Sequence, residues 1–321
     1  MSEVHLLDKV TPMKAEPILC NLGRAHAFRR LVGSLLLHEV LMKRIAKRQR
    51  QGHPQLAVYA QDMIGQAINI DGWWELEQLT VLRQFVLATR GRGGAMLDIG
   101  ANIGNHSVYL RDLFDEVHAV EANPRTFKLL QFNLEIYPHL RAHLFAASDE
   151  AGTLRFEVEA INVGASHVVN ARQKVHDGAG VIEVQACVLD DVIRTDYPVS
   201  LVKIDVEGHE LQAIRGMARL LRRDTPCVVF EQQSADFHDG TSPVIEALRG
   251  MGYSRFFSVE RVPSSRSDGL LTHIWPNLLA LWRGFRMEAV ELQQFSPGFY
   301  EMIIAVPANA ERSQVDGPVS T

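Results

Sequence analysis

The stretch MLDIGANIGNHS, residues 96–107, decides the fold of this chain. Together with Ala95 before it, the apolar start of this stretch predicts a buried strand that ends at Asp98. A turn built on Gly100 and Gly104 follows, and a helix begins directly after the turn. A strand, a glycine-containing loop and a helix N-terminus form a pocket for a polar, nucleotide-like ligand, since glycine admits a ligand where a Cβ would clash.

The spacing of this loop differs from that of a dinucleotide site. It reads Asp98-x-Gly100-x-Asn102-x-Gly104 and lacks the middle glycine of G-x-G-x-x-G. A carboxylate at the strand end does not help to bind phosphate, but it suits a ligand with a cationic centre such as S-adenosylmethionine. Glu121 ends the next predicted strand, where a carboxylate can accept both hydroxyls of a ribose.

Composition describes an ordinary globular chain. It has 321 residues, of which 46% are hydrophobic and 22% charged, and its net charge of −5 gives no bias toward nucleic acid. The cysteines Cys20, Cys187 and Cys227 are odd in number and have no paired spacing, which favours reduced thiols. Met1–Asp8 has neither a basic region nor an apolar core, so we expect no signal peptide and a cytoplasmic protein.

Residues 22–50 predict a basic amphipathic helix within an N-terminal helical extension, residues 1–55. Such a helix either contacts a membrane or an acidic partner, or caps the following domain and shows its charged face to water. The second interpretation is favoured, because Gly33 and Ser34 interrupt the apolar pattern and no tryptophan anchors it.

Residues 56–71 predict two short strands, LAVYA and QAINI. Gly72-Trp73-Trp74-Glu75 follows, and then a helix from Leu76 to Val86. The two tryptophans either line a ligand pocket or pack against the sheet, and packing is favoured.

From residue 95 to 232 predicted strands alternate with predicted helices. The strands are 95–99, 116–121, 142–147, 201–206 and 227–231. The helices are 105–114, 124–136 and 208–222. This alternation predicts a parallel sheet covered on both faces, with the ligand at the carboxyl ends of the strands. The carboxylates at these ends are Asp98, Glu121, Asp149, Asp205 and Glu231.

Between residues 150 and 190 the alternation breaks. Thr153–Val158 and Val181–Val188 predict the two strands of a hairpin-like insertion. The loop at 162–166 either approaches the ligand pocket or lies on the surface, and the sequence leaves both open.

The motif LVKIDVEGHE, residues 201–210, concentrates polar side chains where a strand meets a helix. It fits a divalent metal site, or a general base at His209 whose tautomer is set by carboxylates. Complementarity to a helix N-terminus accounts for Glu210, but not for Asp205 beside Glu207 and His209.

The segments LDIGANIGNHS, HAVEANP, QFNL, LVKIDVEGHE and VVFE, in this order, resemble the FkbM family of S-adenosylmethionine-dependent methyltransferases. The resemblance runs from about residue 58 to 260, with tryptophan in the lead-in where tyrosine is commoner. It implies an α/β, class I methyltransferase (Rossmann-like) fold: a seven-stranded, mostly parallel sheet with helices on both faces. Tyr253–Val259 and Phe299–Val306 are then the last two strands, the final one antiparallel.

The resemblance also assigns residues to S-adenosylmethionine. Asp98, Gly100, Asn102 and Gly104 match the positions for its methionine part, and Glu121 matches the ribose ligand. The adenine position falls on Ser148 and Asp149. The implied reaction is O-methylation, often of a sugar or polyketide hydroxyl in bacteria.

Methyl transfer to oxygen needs a base near the acceptor hydroxyl. The candidates are His209, placed first because its ordinary pKa lies near neutral pH, with Asp205, Glu207 and Glu231. A divalent metal at these residues is the less favoured alternative, and no metal ligand is assigned. The expected partner is a small-molecule or glycan acceptor, with no nucleic acid.

The methyltransferase domain is expected over residues 56–307. Residues 260–298 form an insertion that either covers the acceptor side as a lid or packs as a satellite cluster, and 308–321 form a disordered tail. A nicotinamide-dependent oxidoreductase and a cofactor-binding scaffold without activity are the alternative functions.

Overall fold

The structure is a computed structural model and describes residues 24–50, 52–158, 167–168, 180–263 and 285–308. The chain divides into two compact units, one ending at His53 and the other beginning at Pro54. The loop predicted at 162–166, most of the 260–298 insertion and nearly all of the predicted tail lie outside the described residues.

The first unit contains one described helix, α1 (Arg24–Arg50). Its last turn carries Lys47, Arg48 and Arg50, whose charges favour the negative end of the helix dipole. Among the residues that the structure describes, no helix is long and apolar enough to cross a membrane.

The second unit alternates helices and strands. Its helices are α2 (Met63–Asp71), α3 (Leu76–Thr89), α4 (Asn105–Leu110), α5 (Pro124–Leu134), α6 (Leu189–Val192), α7 (Glu210–Gly216), α8 (Ala218–Asp224) and α9 (Pro243–Arg249), with 3-10 turns at Arg111–Leu113 and Ser234–Asp236. Its strands are β1 (Ala95–Ile99), β2 (Glu116–Glu121), β3 (Leu140–Leu144), β4 (Ala146–Ser148), β5 (Gly152–Val158), β6 (His167–Val168), β7 (Gly180–Val188), β8 (Val199–Ile204), β9 (Cys227–Gln232), β10 (Tyr253–Pro263), β11 (Phe285–Glu291) and β12 (Tyr300–Pro307).

Eight strands form the main sheet in the order β11-β10-β12-β9-β8-β1-β2-β3. The pairs from β3 to β9 are parallel, whereas β12 runs antiparallel to both β9 and β10. The predicted mostly parallel sheet is confirmed, and so is the antiparallel final strand. The number of strands is eight rather than seven, because β11 pairs with the edge strand β10 from within the predicted insertion.

The main sheet is covered on both faces, as predicted. Successive residues of its central strands enter two different cores: Leu97 and Val202 pack with α7, α8 and α9, whereas Met96 and Leu201 pack with α3, α4 and α5. All five residues of β1 are buried. A strand buried on both faces explains the continuous apolar runs in the sequence.

The strands predicted at 56–71 are wrong. Residues 54–60 form no regular element, and Met63–Asp71 is the helix α2, which ends at Gly72 with a φ of 95°. A short apolar run does not distinguish a strand from a buried helix, and the left-handed glycine cap was the signal for the helix.

Two other predicted elements are divided. The strand predicted at 142–147 is split into β3 of the main sheet and β4, which pairs with β7 in a second sheet of order β4-β7-β5-β6. The helix predicted at 208–222 is split into α7 and α8. Gly216 ends α7 where a Cβ would lie 2.0 Å from the carbonyl oxygen of Ser148. In the region of the predicted insertion, β5 and β7 pair antiparallel.

Candidate active site

A cavity opens at the carboxyl ends of β1, β2, β8 and β9, with an empty volume of about 1060 Å³ including its mouth. This is the edge at which α/β sheets bind their ligands. Five carboxylates border it: Glu75, Glu121, Asp205, Glu207 and Glu231. The cavity is therefore suited to a ligand that carries positive charge.

The glycine loop after β1 crosses close to the end of β8. A Cβ on Gly100 would lie 1.7 Å from the carbonyl oxygen of Asp205, and the φ of Gly100 is 75°. Gly100 also lines the cavity, together with Asn102. Gly104 does not line it, and a Cβ there would meet Leu130 of α5 at 2.9 Å. Both glycines thus allow close contacts within the protein, and Gly100 also forms part of the cavity wall.

Glu121 is held firmly on the cavity wall. The backbone N–H of Asn102 donates to its Oε2 at 3.0 Å, and that of Asn123 donates to its Oε1 at 2.7 Å. Burial raises the pKa of Glu121 to about 7 despite these bonds. Each carboxylate oxygen has a second lone pair, so both can still accept a hydroxyl group from a ligand.

Asp98 lies beneath the cavity and does not line it. Its side chain is fully buried, and Ser107 Oγ donates to its Oδ2 at 2.7 Å. Lys203 Nζ lies 3.6 Å from Oδ1 of Asp98 and donates to Gly100 O and Asp205 Oδ2, each at 3.2 Å. Asp98 is thus the buried counter-charge of Lys203, which lies on β8 and donates to the loop after β1.

Lys203 is the cation beneath the carboxylate cluster. Burial lowers its pKa, but the charges of Asp205, Asp98 and Glu75 outweigh burial and raise the pKa well above its usual value. In the sequence, Lys203 alternates with the apolar residues of β8, a pattern that fits either a lysine at the edge of a layer or one that pairs with a carboxylate. Lys203 was not assigned to the site from the sequence.

The two adjacent tryptophans have different surroundings. Trp73 is buried and packs edge-on against Tyr109 with ring centroids 5.1 Å apart, whereas Trp74 lines the cavity. The side chain of Asn105 fixes the backbone of Trp74 by two hydrogen bonds. The N–H of Trp74 donates to Asn105 Oδ1 at 3.1 Å, and Asn105 Nδ2 donates to the carbonyl oxygen of Trp74 at 3.0 Å. One tryptophan therefore packs and the other forms cavity wall.

Glu75 is a cavity residue that sequence reasoning did not assign. It precedes α3 with a φ of 55°, and its Oε2 lies 3.2 Å from Nε2 of the buried His106. Burial raises the pKa of Glu75, but the contact with His106 and the charge of Lys203 outweigh burial and hold the pKa below its usual value. Glu75 is therefore ionised at neutral pH.

His209 and Glu210 have separate roles in the turn after β8. Glu210 Oε1 accepts the backbone N–H groups of Gly208 at 3.0 Å and Val206 at 3.3 Å, so Glu210 caps its own turn. His209 lines the cavity, and its Nε2 lies 3.1 Å from Ser148 Oγ at the end of β4. Burial lowers the pKa of His209, although the charge of Asp149 opposes this, so the imidazole is neutral at neutral pH.

Glu231 lies at the end of β9, on the same cavity. Gln233 Nε2 donates to its Oε1 at 2.5 Å. Burial raises the pKa of Glu231 to about 8, and the charges of Asp205, Glu207 and Glu210 act in the same direction. At neutral pH this group is therefore mostly protonated, and its carboxylate form becomes available as a base as the pH rises through about 8.

The structure thus brings most of the predicted site residues to one cavity. The residues on its wall are Gly100, Asn102, Glu121, Asp205, Glu207, His209 and Glu231. The predicted residues that are not part of the wall are Asp98, Gly104, Ser148 and Asp149. Over the described ranges, no three His, Cys, Asp or Glu side chains converge in a way that could hold a metal ion.

Residues 98–255 match the sequence profile described as the methyltransferase FkbM domain. This match covers 158 of the 321 residues, just under half of the chain. The resemblance drawn from the motifs is confirmed. The fold that it implied, a class I methyltransferase sheet, is present with β11 as an added edge strand.

Two characterised relatives are methyltransferases by name. Hexuronic acid methyltransferase AglP of Haloferax volcanii is 29% identical over 47% of this chain and 61% of its own length. Methyltransferase sdnD of Sordaria araneosa is 28% identical over 48% of this chain and 70% of its own length. This chain therefore matches less than two thirds of the length of AglP.

Solved structures give more distant matches. A methyltransferase FkbM from Methylobacillus flagellatus has 16% identity and a TM-score of 0.37, over 66% of this chain and 43% of that one. An O-methyltransferase from Bacillus cereus in complex with SAH has 13% identity and a TM-score of 0.35, over 88% of this chain and 97% of that one.

Proposed function

We propose that this protein is an S-adenosylmethionine-dependent O-methyltransferase that acts on a hydroxyl group of a sugar, a glycan or another small molecule. The observation that carries the proposal is the carboxylate of Glu121, held at the end of β2 by two backbone N–H groups and facing an anionic cavity. This arrangement offers acceptors for ribose hydroxyls beside a region suited to a cationic sulfur.

The described residues fit the proposed cofactor. Oδ1 of Asn102 is buried at the cavity wall and has no hydrogen-bond partner among them, so it is available to a donor on a ligand. Glu121 would hold the ribose, and the loop from Gly100 to Asn102 would border the methionine part. Ionised Glu75 would attract its ammonium group. When bound, the cofactor supplies an electrophilic methyl group.

Asp98, Gly104, Ser148 and Asp149 support the cofactor site from behind the cavity wall in this proposal. Asp98 and Lys203 fix the loop from below, and Gly104 lets α4 pack against α5. Ser148 positions His209 through their 3.1 Å contact at the end of β4, the side of the cavity assigned to adenine.

Glu231 is the first candidate for the general base, ahead of His209. The pKa of Glu231, about 8, lets it accept the hydroxyl proton as the new C–O bond forms. Nε2 of His209 is already engaged with Ser148. Asp205 and Glu207 keep the pKa of Glu231 high by their charge and border the acceptor side of the cavity. No step requires a metal ion.

A neutral sugar hydroxyl suits the cavity better than a carboxylated sugar does. Five carboxyl groups border the cavity, of which Glu75 is ionised and Glu121 partly ionised at neutral pH, so a further carboxylate on the acceptor would be repelled. The name of AglP supports a sugar as the acceptor class, while the charge of this cavity argues for a neutral one. Cytoplasmic location and bacterial origin stay predictions.

The test is to incubate the protein with S-adenosylmethionine and matched pairs of neutral hexosides and hexuronides. Release of S-adenosylhomocysteine and methylation of a hydroxyl, with turnover favouring the neutral member of each pair, supports the proposal. Binding of NAD without binding of S-adenosylmethionine would favour the oxidoreductase. Cofactor binding without turnover on any hydroxyl acceptor would favour the scaffold.

A further inference from the structure

Helix α1 presents a stripe of apolar side chains to solvent. The exposed fractions are 67% for Phe28, 60% for Leu31, 37% for Val32, 59% for Leu35 and 47% for Met42. At 3.6 residues per turn these five positions fall within about 100° of one another around the helix axis. We refer to them as the apolar stripe.

An amphipathic helix buries its apolar face against a partner, and the five side chains of the apolar stripe in α1 are exposed. Gly33 and Ser34, which suggested an interruption, are part of a continuous helix. The aromatic ring of Phe28 supplies an anchor on the apolar face in place of tryptophan.

The same helix is strongly basic. Residues 24–50 hold eight Lys and Arg against the single acid Glu39, so they carry +7 within a chain whose net charge is −5, and the remaining residues carry −12. By the helical geometry, Lys43 and Lys47 follow the apolar stripe on one side, about 60–100° from Phe28. Cations therefore border the exposed apolar surface.

We infer that α1 binds the surface of a lipid bilayer with anionic headgroups. The apolar stripe enters the boundary between headgroups and acyl chains, and the neighbouring Lys and Arg pair with the headgroups. A soluble polyanion would use the cations but leave the apolar stripe in water. A second copy of α1 would bring two charges of +7 together. The anionic bilayer matches both features at once.

The experiment is vesicle flotation of the full chain. Vesicles of phosphatidylcholine alone are compared with vesicles containing three parts phosphatidylglycerol to seven parts phosphatidylcholine, at low and high salt. The expected result is flotation with the anionic vesicles, weakened by salt because the Debye length shortens. Flotation that is equal with both vesicle types, or absent from both, overturns the inference.

Two sets of substitutions separate charge from apolar contact. Lys43→Gln, Arg44→Gln and Lys47→Gln together remove three cations, which lowers the partition coefficient on anionic vesicles by roughly a hundredfold at about 1 kcal/mol per charge. Leu31→Gln and Leu35→Gln shorten the apolar stripe while keeping helix propensity, and they should also reduce flotation by at least tenfold. If the second variant floats like the wild type, the apolar stripe does not enter the bilayer and the inference fails.

A matched control removes three cations from elsewhere. Lys128, Arg155 and Arg222 are exposed in the second unit, and their change to Gln should leave flotation unchanged. An equal loss in this control would mean that total charge, rather than α1, governs binding. Light scattering in the absence of lipid completes the test. If the protein does not float but self-associates, and if the Leu31→Gln and Leu35→Gln variant loses that self-association, the apolar stripe binds a second copy of the chain instead.

Discussion

Replacing Glu121 by Gln tests the proposed cofactor site most directly. The substitution preserves the size of the side chain but removes its charge. The backbone N–H groups of Asn102 and Asn123 both donate to the carboxylate of Glu121. In the variant, the amide –NH₂ of Gln would face one of these two N–H groups, donor against donor. The change therefore acts on the group that we assign to the ribose and on the geometry of the loop beside it.

The loss in affinity follows from the hydrogen bonds involved. Hydrogen bonds to a charged group contribute about 1.5–3 kcal/mol, so losing the carboxylate should weaken binding of S-adenosylmethionine by roughly 10- to 100-fold near pH 8.5. The wild-type affinity should itself depend on pH. With a pKa of about 7 in the free protein, Glu121 is mostly protonated at acidic pH.

The sign of this dependence follows from the charges. Ribose hydroxyls and a cationic sulfur favour the ionised form of Glu121, so its pKa falls on binding and affinity rises as pH increases through about 7. About 3% of carboxyl groups with a pKa of about 7 are ionised at pH 5.5, so the dissociation constant for S-adenosylmethionine there should be up to roughly 30-fold larger than at pH 8.5.

Isothermal titration calorimetry at several pH values, in buffers with different ionisation enthalpies, measures both affinity and proton release. The wild type should release a proton on binding near pH 6.5, and Glu121→Gln should lose most of that release. Glu135→Gln, an exposed substitution on the C-cap of α5, is the control. Wild-type affinity and pH dependence in Glu121→Gln would refute the assignment of Glu121 to the cofactor.

Three further predictions concern the surroundings of Glu121. Lys203→Met should lower the free energy of unfolding by about 3–5 kcal/mol, because it leaves Asp98 as an uncompensated buried charge. Urea denaturation measures the free energy of unfolding, and an unchanged value would contradict the proposed role of the lysine. Glu231→Gln should reduce kcat by roughly 10²- to 10⁴-fold with little change in cofactor affinity. Wild-type kcat should rise with pH through about 8, as the ionised base becomes populated, and a retained pH profile in the variant would exclude Glu231 as the base. Gly100→Ala should abolish cofactor binding, because the added Cβ would lie 1.7 Å from the carbonyl oxygen of Asp205. Gly152→Ala is the control and should bind the cofactor normally, because a Cβ there meets nothing within 4 Å. Normal binding by both variants in calorimetry would show that the loop tolerates displacement.

Strong local patterns predicted the centre of the fold. Apolar runs located β1, β8 and β9, because strands buried on both faces carry mostly apolar side chains. Weaker local patterns predicted a strand where the structure has α2, and they did not predict β11. For α2 the apolar run was too short to separate helix from strand, and β11 becomes a strand by pairing with β10 at the sheet edge.

The sequence by itself determined the resemblance to the FkbM family, the parallel sheet and the carboxylates at the strand ends, because each is encoded in short motifs and in periodicity. Only the tertiary structure decided what those groups contact. Lys203 bonds to the carbonyl of Gly100, 103 residues away, and Glu75 meets His106 across the start of α4. The pKa values of Glu121 and Glu231 likewise follow from burial and from charges on other strands. A pattern along the chain reports local conformation, whereas distance, desolvation and charge depend on neighbours that only the folded chain brings together.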